Sequence, residues 1–265
     1  MERLGYIQAR DGSPLHAAYH APAQAQASCP VLICPPLFEE RKSAYAALRK
    51  LCLRLAAAGR ASMRFDYRGS GESGGRSATR RWAHLAEDVA AAREALARLS
   101  GREDVVLLGL RLGATLALQE AVGAGVKVVV ALAPILSGAG QVRQWKMRSR
   151  IRAELTDSNT GVSPVQHGQD ACGTLDFDGY EVHPGFFDDV AALDLLKAPP
   201  ALHGPALIVQ ISHRSGPSPE SQQFVAALGG KAEWECLRLE PFWDKLDDVD
   251  TGPLEDIVCR WVSGF

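Results

Sequence analysis

Arg111 stands at the centre of a Gly-x-x-x-Gly turn, Gly109-Leu110-Arg111-Leu112-Gly113. Ahead of it, Val105-Val106-Leu107-Leu108 has the continuous apolar pattern of a buried strand. Behind it, Ala114-Thr115-Leu116-Ala117 carries small and apolar residues at helical spacing. The glycines fall where the two backbones crowd. A strand–turn–helix corner of this kind presents its central residue for chemistry, yet a guanidinium stays protonated at any useful pH and cannot attack a carbonyl. The chemistry open to Arg111 is the holding of an anion. At the mouth of a helix its charge adds to the positive end of the dipole, so a negative group should face it. Glu39 and Glu40, in the loop after Pro35-Pro36, and Asp66, at the end of another strand, are the candidates. A bidentate pair of Arg111 with Glu39 or Glu40 is expected. Two readings stay open: the pair closes the site as plain structure, or Arg111 and nearby backbone N–H groups bind a ligand carboxylate or phosphate. The N–H groups of Phe38 and Leu112 are where an oxyanion would be cradled, with ordinary loop and helix-start geometry as the plain alternative.

Other reactive residue types have simpler readings. Gly69-Ser70-Gly71-Glu72-Ser73-Gly74-Gly75 lacks the Gly-Lys-Ser/Thr ending of a phosphate loop and reads as a turn-rich loop. Ser73 is a candidate displaced nucleophile, but only His84 lies near it in sequence. Cys34 ends a strand, where cysteines are usually inert small hydrophobes. His213 and Trp243 fall near the presumed pocket and are candidate ligand contacts. His167, Asp170, Cys172, Asp176, Asp178 and His183 match no metal-ligand spacing, so no metal and no cofactor are expected. Asp88 reads as a group that orients the Gly69 loop. Arg143, Lys146, Arg148, Arg150 and Arg152 form either a solvated face or the positive rim of the pocket.

The elements that must position these groups alternate. A hairpin from Leu4 to Tyr19 turns at Asp11-Gly12-Ser13-Pro14. Strands follow at Val31–Cys34, Ala61–Tyr67, Val105–Leu108 and Val126–Ala133, separated by helices at Lys42–Ala58, Trp82–Leu99 and the one after Arg111. Strands alternating with helices predict a parallel, helix-covered sheet. The rhythm breaks from Ser137 to Pro200, which reads as an insertion capping one sheet edge. It resumes with a strand at Ala206–Ile211, a helix at Glu220–Leu228, a strand at Trp234–Leu239 and a helix at Leu254–Val262.

At 265 residues, 46% hydrophobic and with a formal charge of -2, the chain suits one globular domain, 1–265, with 137–200 as the cap. It has no basic excess to neutralise nucleic-acid phosphates. No apolar run approaches the roughly 20 residues of a membrane span. Met1-Glu2-Arg3-Leu4 lacks the layout of a signal peptide. Six scattered cysteines without a Cys-x-x-Cys pair fit reduced thiols, and a cytoplasmic setting is expected.

The order of strand, Pro35-Pro36 loop, strand ending Arg64-Phe65-Asp66-Tyr67-Arg68-Gly69-Ser70-Gly71-Glu72-Ser73, and the corner at Arg111 resembles the serine-aminopeptidase-like branch of the α/β-hydrolases, over nearly the whole chain. More narrowly, four short motifs resemble the second exosortase A system-associated hydrolase family. They are Pro35-Pro36-Leu37-Phe38-Glu39-Glu40-Arg41, Gly109-Leu110-Arg111-Leu112-Gly113-Ala114, Asp176-Phe177-Asp178-Gly179-Tyr180 and Glu240-Pro241-Phe242-Trp243. That resemblance implies an arginine at the corner as a family feature, beside bacterial machinery for exopolysaccharide production and surface-protein sorting. It also makes the corner a nucleophile elbow, Gly-x-Ser-x-Gly, with Arg111 in place of serine. The acid expected after Ile211 is replaced by Ser212-His213-Arg214-Ser215, and the histidine expected after Leu239 by Glu240-Pro241-Phe242-Trp243. The serine relay is not expected to operate.

The expectation is therefore an α/β-hydrolase fold, with a mostly parallel sheet of about eight strands, helices on both faces and a cap insertion. Its site would comprise Arg111, Glu39 and Glu40, with Phe38, Leu112, Asp66, His213 and Trp243 around a small-molecule ligand, anionic or acyl. One function is acyl or ester hydrolysis by an unorthodox route. The other is non-catalytic binding of an anionic metabolite or a partner protein; association with a second copy is left open.

Overall fold

The computed structural model describes residues 1–22, 24, 28–160, 174–213, 216–245, 247 and 249–265. It opens with the antiparallel hairpin β1 (Glu2–Gln8) and β2 (Pro14–His20), in register from Glu2↔His20 to Gln8↔Pro14. The alternating part runs β3 (Val31–Cys34), α1 (Phe38–Ala57), β4 (Ser62–Phe65), α2 (Trp82–Ser100), β5 (Val106–Leu110), α3 (Leu112–Gly123) and β6 (Val128–Leu132). An excursion follows, built of α4 (Gly138–Thr160), the small hairpin β7 (Leu175–Phe177) and β8 (Tyr180–Val182), and α5 (Phe186–Ala191). The chain then returns through β9 (Ala206–Ser212), α6 (Pro219–Ala227), β10 (Ala232–Arg238) and α7 (Gly252–Val262).

Eight strands form one sheet in the order β1-β2-β4-β3-β5-β6-β9-β10, antiparallel at β1-β2-β4 and parallel from β4 onward. Strands β3, β5 and β6 are buried at every residue, as their unbroken Val/Leu/Ile runs require of parallel strands covered on both faces. Two apolar cores result. Leu32, Leu107 and Val129 point into one, with Leu85, Val89 and Leu96 of α2; Ile33, Leu108 and Val130 point into the other, with Leu48, Leu51 and Leu55 of α1.

Two boundaries differ from the sequence reading in ways that matter. Helix α1 begins at Phe38, four residues before the expected Lys42, so Glu39 and Glu40 occupy its first turn and not a loop. Carboxylates there lie at the positive end of the helix dipole, which favours helix over loop. The stretch from Ser137, read from the sequence as a capping insertion without assigned elements, opens with α4, which runs through the whole basic segment. Its inward face includes Gln141 and Ser149 beside Val142 and Trp145, and this mixture hides the helical period. The two ends of the excursion lie side by side: Gly138 N–H donates to Leu193 O at 2.8 Å and Leu195 N–H to Leu136 O at 2.9 Å.

Candidate functional site

Strand β3 has β4 on one side and β5 on the other, so the chain order reverses there. In open α/β sheets a crevice forms at such a point, beyond the carboxyl ends of the strands. Leu37 and Phe38 leave β3 into this crevice, and Arg111 leaves β5 into it.

Arg111 is held at φ 58°, ψ -122°, off the allowed wells of an L-residue, with its N–H bonded to Leu132 O at 3.0 Å. The flanking glycines make the corner possible. A Cβ on Gly113 would run into the Cys34 and Pro35 carbonyls, and one on Gly109 into Gly113 and Ala114. The arginine head turns back over the corner. Its Nε donates to Glu40 Oε2 at 3.3 Å, and its Nη2 to Glu40 Oε1 at 3.2 Å and to Gln141 Oε1 at 2.9 Å. The Trp243 ring lies 5.0 Å from the guanidinium carbon, a cation–π contact.

The partner of Arg111 is thus Glu40, reached from the first turn of α1. Glu39 faces the other way, accepting from Lys42 Nζ at 2.9 Å and from the Tyr180 hydroxyl at 2.9 Å. The Glu40 and Arg111 side chains are 6% and 13% exposed, so the pair is almost wholly out of water. Burial pushes the Glu40 carboxyl above the usual range, while the charge and hydrogen bonds of Arg111 pull against it. Burial also works to raise Glu39, but its bonds from Lys42 and Tyr180 win and hold that carboxyl low. Gln141, which the sequence reading did not single out, is 4% exposed, and its Nε2 finds no hydrogen-bond partner among the described residues.

Beyond Glu40 opens a cavity of about 270 Å³. Leu37, Phe38, Glu40 and Trp243 line it from the core side, and Trp145, Phe177 and Tyr180 from the excursion. Phe38, itself at φ 53°, packs edge-on against Trp145, Phe177, Tyr180 and Phe186 at 5.2–5.9 Å. Of the basic run, Arg148 and Arg152 reach the cavity, and each meets a carboxylate. Arg148 donates to both oxygens of Asp244 at 2.6 and 2.9 Å, and Arg152 to Asp178 at 3.0 Å. They are four residues apart and so share a face of α4, but Lys146 and Arg150 have the same spacing, so the sequence alone could not choose between the two pairs.

The other expected residues are dispersed. Asp66 lies away from Arg111, paired with Arg41 at 2.9 Å and lining a separate cavity of about 30 Å³ with His16 and Tyr45. His213 is exposed at the end of β9 and does not line the cavity. Leu112 is buried, 1% exposed, as the first residue of α3. Trp243 reaches the site, and Phe242–Asp244 form a single 3-10 turn there. Ser73 Oγ accepts from His16 N–H at 2.8 Å and donates to Asp66 O at 2.6 Å, which makes it a loop tie. Burial drives the Cys34 thiol far above its ordinary value, so it carries no thiolate. Asp88 accepts from both the backbone N–H and Nε of Arg68, at the head of the Gly69 loop. His167, Asp170 and Cys172 lie outside the described residues. Of their companions, His183 accepts from Gly185 N–H and Asp176 from Gly179 N–H. Among the described residues no group of three or more potential ligands could hold a metal ion, and no helix is long and apolar enough to cross a membrane.

Residues 38–169 match the family model of the serine aminopeptidases, S33. No curated protein matches the chain. Among solved structures, Est1E from Butyrivibrio proteoclasticus, determined with ferulic acid bound, is 18% identical with a TM-score of 0.64, covering 98% of this chain and 97% of that one. An esterase from Pyrococcus furiosus is 14% identical with a TM-score of 0.71, covering 100% and 91%. The esterase domain of a Rhodothermus marinus protein is 18% identical with a TM-score of 0.68, covering 98% and 97%. With the sheet order and the corner at residue 111, these likenesses show that the chain is an α/β-hydrolase by fold.

Proposed function

We propose that this protein is a small-molecule-binding member of the α/β-hydrolase fold and not a serine hydrolase. The observation that carries the reading is the residue-111 corner, where a nucleophile would stand: it holds an arginine locked to Glu40 and Gln141 beneath Trp243. Such a head can neither attack a carbonyl nor release its hydrogen bonds to a ligand without leaving Glu40 buried and uncompensated. The ligand site is the cavity beyond Glu40, with Arg111 as its buttress. The exopolysaccharide and protein-sorting setting, and a cytoplasmic location, belong to this proposal; the first rests on the four motifs and the second on the reduced thiols.

A second reading, acyl or ester hydrolysis by an unorthodox route, is favoured by one feature. Arg111 and Phe38 keep positive-φ backbones on either side of the crevice, and such strain tends to collect at working sites. Intact-mass labelling separates the two. Folded protein treated with a fluorophosphonate, and separately with a mild thiol alkylator, should gain no activated-residue adduct while a control esterase is labelled stoichiometrically. A stoichiometric adduct mapped to Ser73, Ser137 or Cys34 would overturn the binding reading and name the nucleophile.

A further inference from the structure

The cavity beyond Glu40 is ringed by ion pairs that are already closed. Glu40 is paired with Arg111, Glu39 with Lys42, Asp178 with Arg152 and Asp244 with Arg148, at 3.2, 2.9, 3.0 and 2.6 Å. Charge therefore cancels pair by pair around the opening. The lining itself carries four carboxylates, Glu39, Glu40, Asp178 and Asp244, and two guanidiniums, Arg148 and Arg152, and each already faces its opposite charge. A ligand ion therefore finds no uncompensated counter-charge to offset its own desolvation, and drawing Glu40 away from Arg111 would strand a buried charge.

A hydroxyl group stands in a different position, because it donates and accepts at once. A carboxylate offers about four acceptor sites, and Glu40 uses one on each oxygen for Arg111. The guanidinium of Arg148 uses one N–H on each oxygen of Asp244, out of about five such donors in an arginine. A neutral hydroxylated molecule can therefore donate to a carboxylate and accept from a guanidinium while every pair stays intact. The aromatic walls, Trp145, Phe177 and Tyr180, supply apolar surface for the C–H faces of such a molecule. The volume, about 270 Å³, falls just under the roughly 300–1,000 Å³ of drug-sized pockets, which leaves room for one ring and not for a chain of them.

From this arrangement we infer that the cavity binds a neutral polyhydroxylated molecule, of the class of a single sugar ring or an alditol. The inference rests on the small-molecule-binding reading and specifies its ligand.

Saturation-transfer NMR on the full chain tests it with methyl α-D-glucopyranoside and sorbitol as neutral probes, hexanoate as the anion and choline as the cation. Transfer to the two neutral probes is expected, with little to hexanoate or choline. Ser43, half-buried on the cavity lining, gives a blocking variant: S43W should cut the neutral signal roughly tenfold, about 1.4 kcal/mol. Asp244→Asn releases Arg148 at an exposed pair, so its fold should persist. That variant should gain a hexanoate signal which the parent lacks. Absence of any neutral-probe signal overturns the inference. A parent signal from hexanoate or choline alone, removed by S43W, overturns the ligand class and leaves the binding reading standing. That broader reading falls separately, on a fluorophosphonate adduct.

Discussion

Arg111 and Glu40 combine two costs that each would be avoided in an ordinary core. The arginine backbone sits at positive φ, and both charged heads are nearly out of water. Breaking a buried pair by removing one partner costs about 3–5 kcal/mol, whereas replacing both with apolar groups is often neutral. Glu40→Gln and Arg111→Met should therefore each lower unfolding stability by about 3 kcal/mol, and the double variant should lose less than the sum. The two single variants separate on pH. R111M removes the charge and hydrogen bonds that chiefly oppose the burial pushing the Glu40 carboxyl up, leaving only the weaker pull of Arg148. An acid whose folded-state pKa is raised gives stability that is present at low pH and lost as pH rises. R111M should thus come nearest the parent around pH 4 and fall furthest below it around pH 8, while E40Q, with no carboxyl, should show no such trend. Urea unfolding at both pH values measures this; parallel behaviour of the two variants would mean that the pair is not the coupled unit described. Arg111 and its need for a carboxylate were legible from the turn alone. The choice of Glu40 over Glu39 was not, because it depends on which side of one helical turn faces the corner.

At the scale of elements, the corner between β5 and α3 was readable because a Val/Leu run, two glycines and a small-residue helix all agree locally. The start of α1 and the course of α4 were not, since their faces toward the crevice are polar: Glu40 on one, Gln141 and Ser149 on the other. A polar inner face gives no apolar period to detect. The same polarity explains how the excursion is fastened. Asp189 of α5 accepts from Arg81 Nε and Nη2 at 2.6 Å each and from Trp82 N–H at 3.2 Å, tying the excursion to the start of α2. The Arg81 hydrogen bonds hold the Asp189 carboxyl below its ordinary value, against the burial that would raise it. A lowered folded-state pKa contributes stability above the ordinary carboxylate range, near pH 4, and loses it as pH falls through the lowered value. Asp189→Ala should accordingly speed amide exchange across α5 and α4 several-fold at neutral pH, with α2 and the sheet unchanged. The gap in denaturation midpoint between variant and parent should close as the solution is acidified. Exchange that rises equally in the sheet would show that this pair supports the whole fold and not the excursion alone.

For the whole molecule, the location of the site follows from topology. The reversal of strand order at β3 places the crevice where the Pro35-Pro36 loop and the Arg111 corner emerge; alternating strands and helices foretold the parallel sheet, and the resemblance to the α/β-hydrolases pointed to that loop and corner. The walls of the cavity were out of reach of such reading. They come from residues near 40, 145, 180 and 243, brought together only when the excursion folds over Phe38. We read residues 137–200 as a separable cap, and the paired ends of the excursion make that testable. Because Gly138 and Leu193 are hydrogen-bonded neighbours, residues 139–192 can be replaced by a loop of about three residues, within the range of ordinary tight connections. The eight-stranded sheet and the core on the α1 side lie outside that segment, whereas Val142, Trp145, Phe177, Val182, Phe186, Phe187 and Val190 within it belong to the core on the α2 side. Uncovering each large apolar side chain that they cover, Phe38 among them, costs about 1.5–3 kcal/mol, so the test is whether the remaining sheet, with its second core intact, still folds. The shortened chain should keep a single cooperative unfolding transition at a lower temperature, followed by circular dichroism, and should lose the neutral-probe signal along with Trp145, Phe177 and Tyr180. A chain that no longer unfolds cooperatively would show instead that the excursion is part of one indivisible core, and the cap reading would have to be given up.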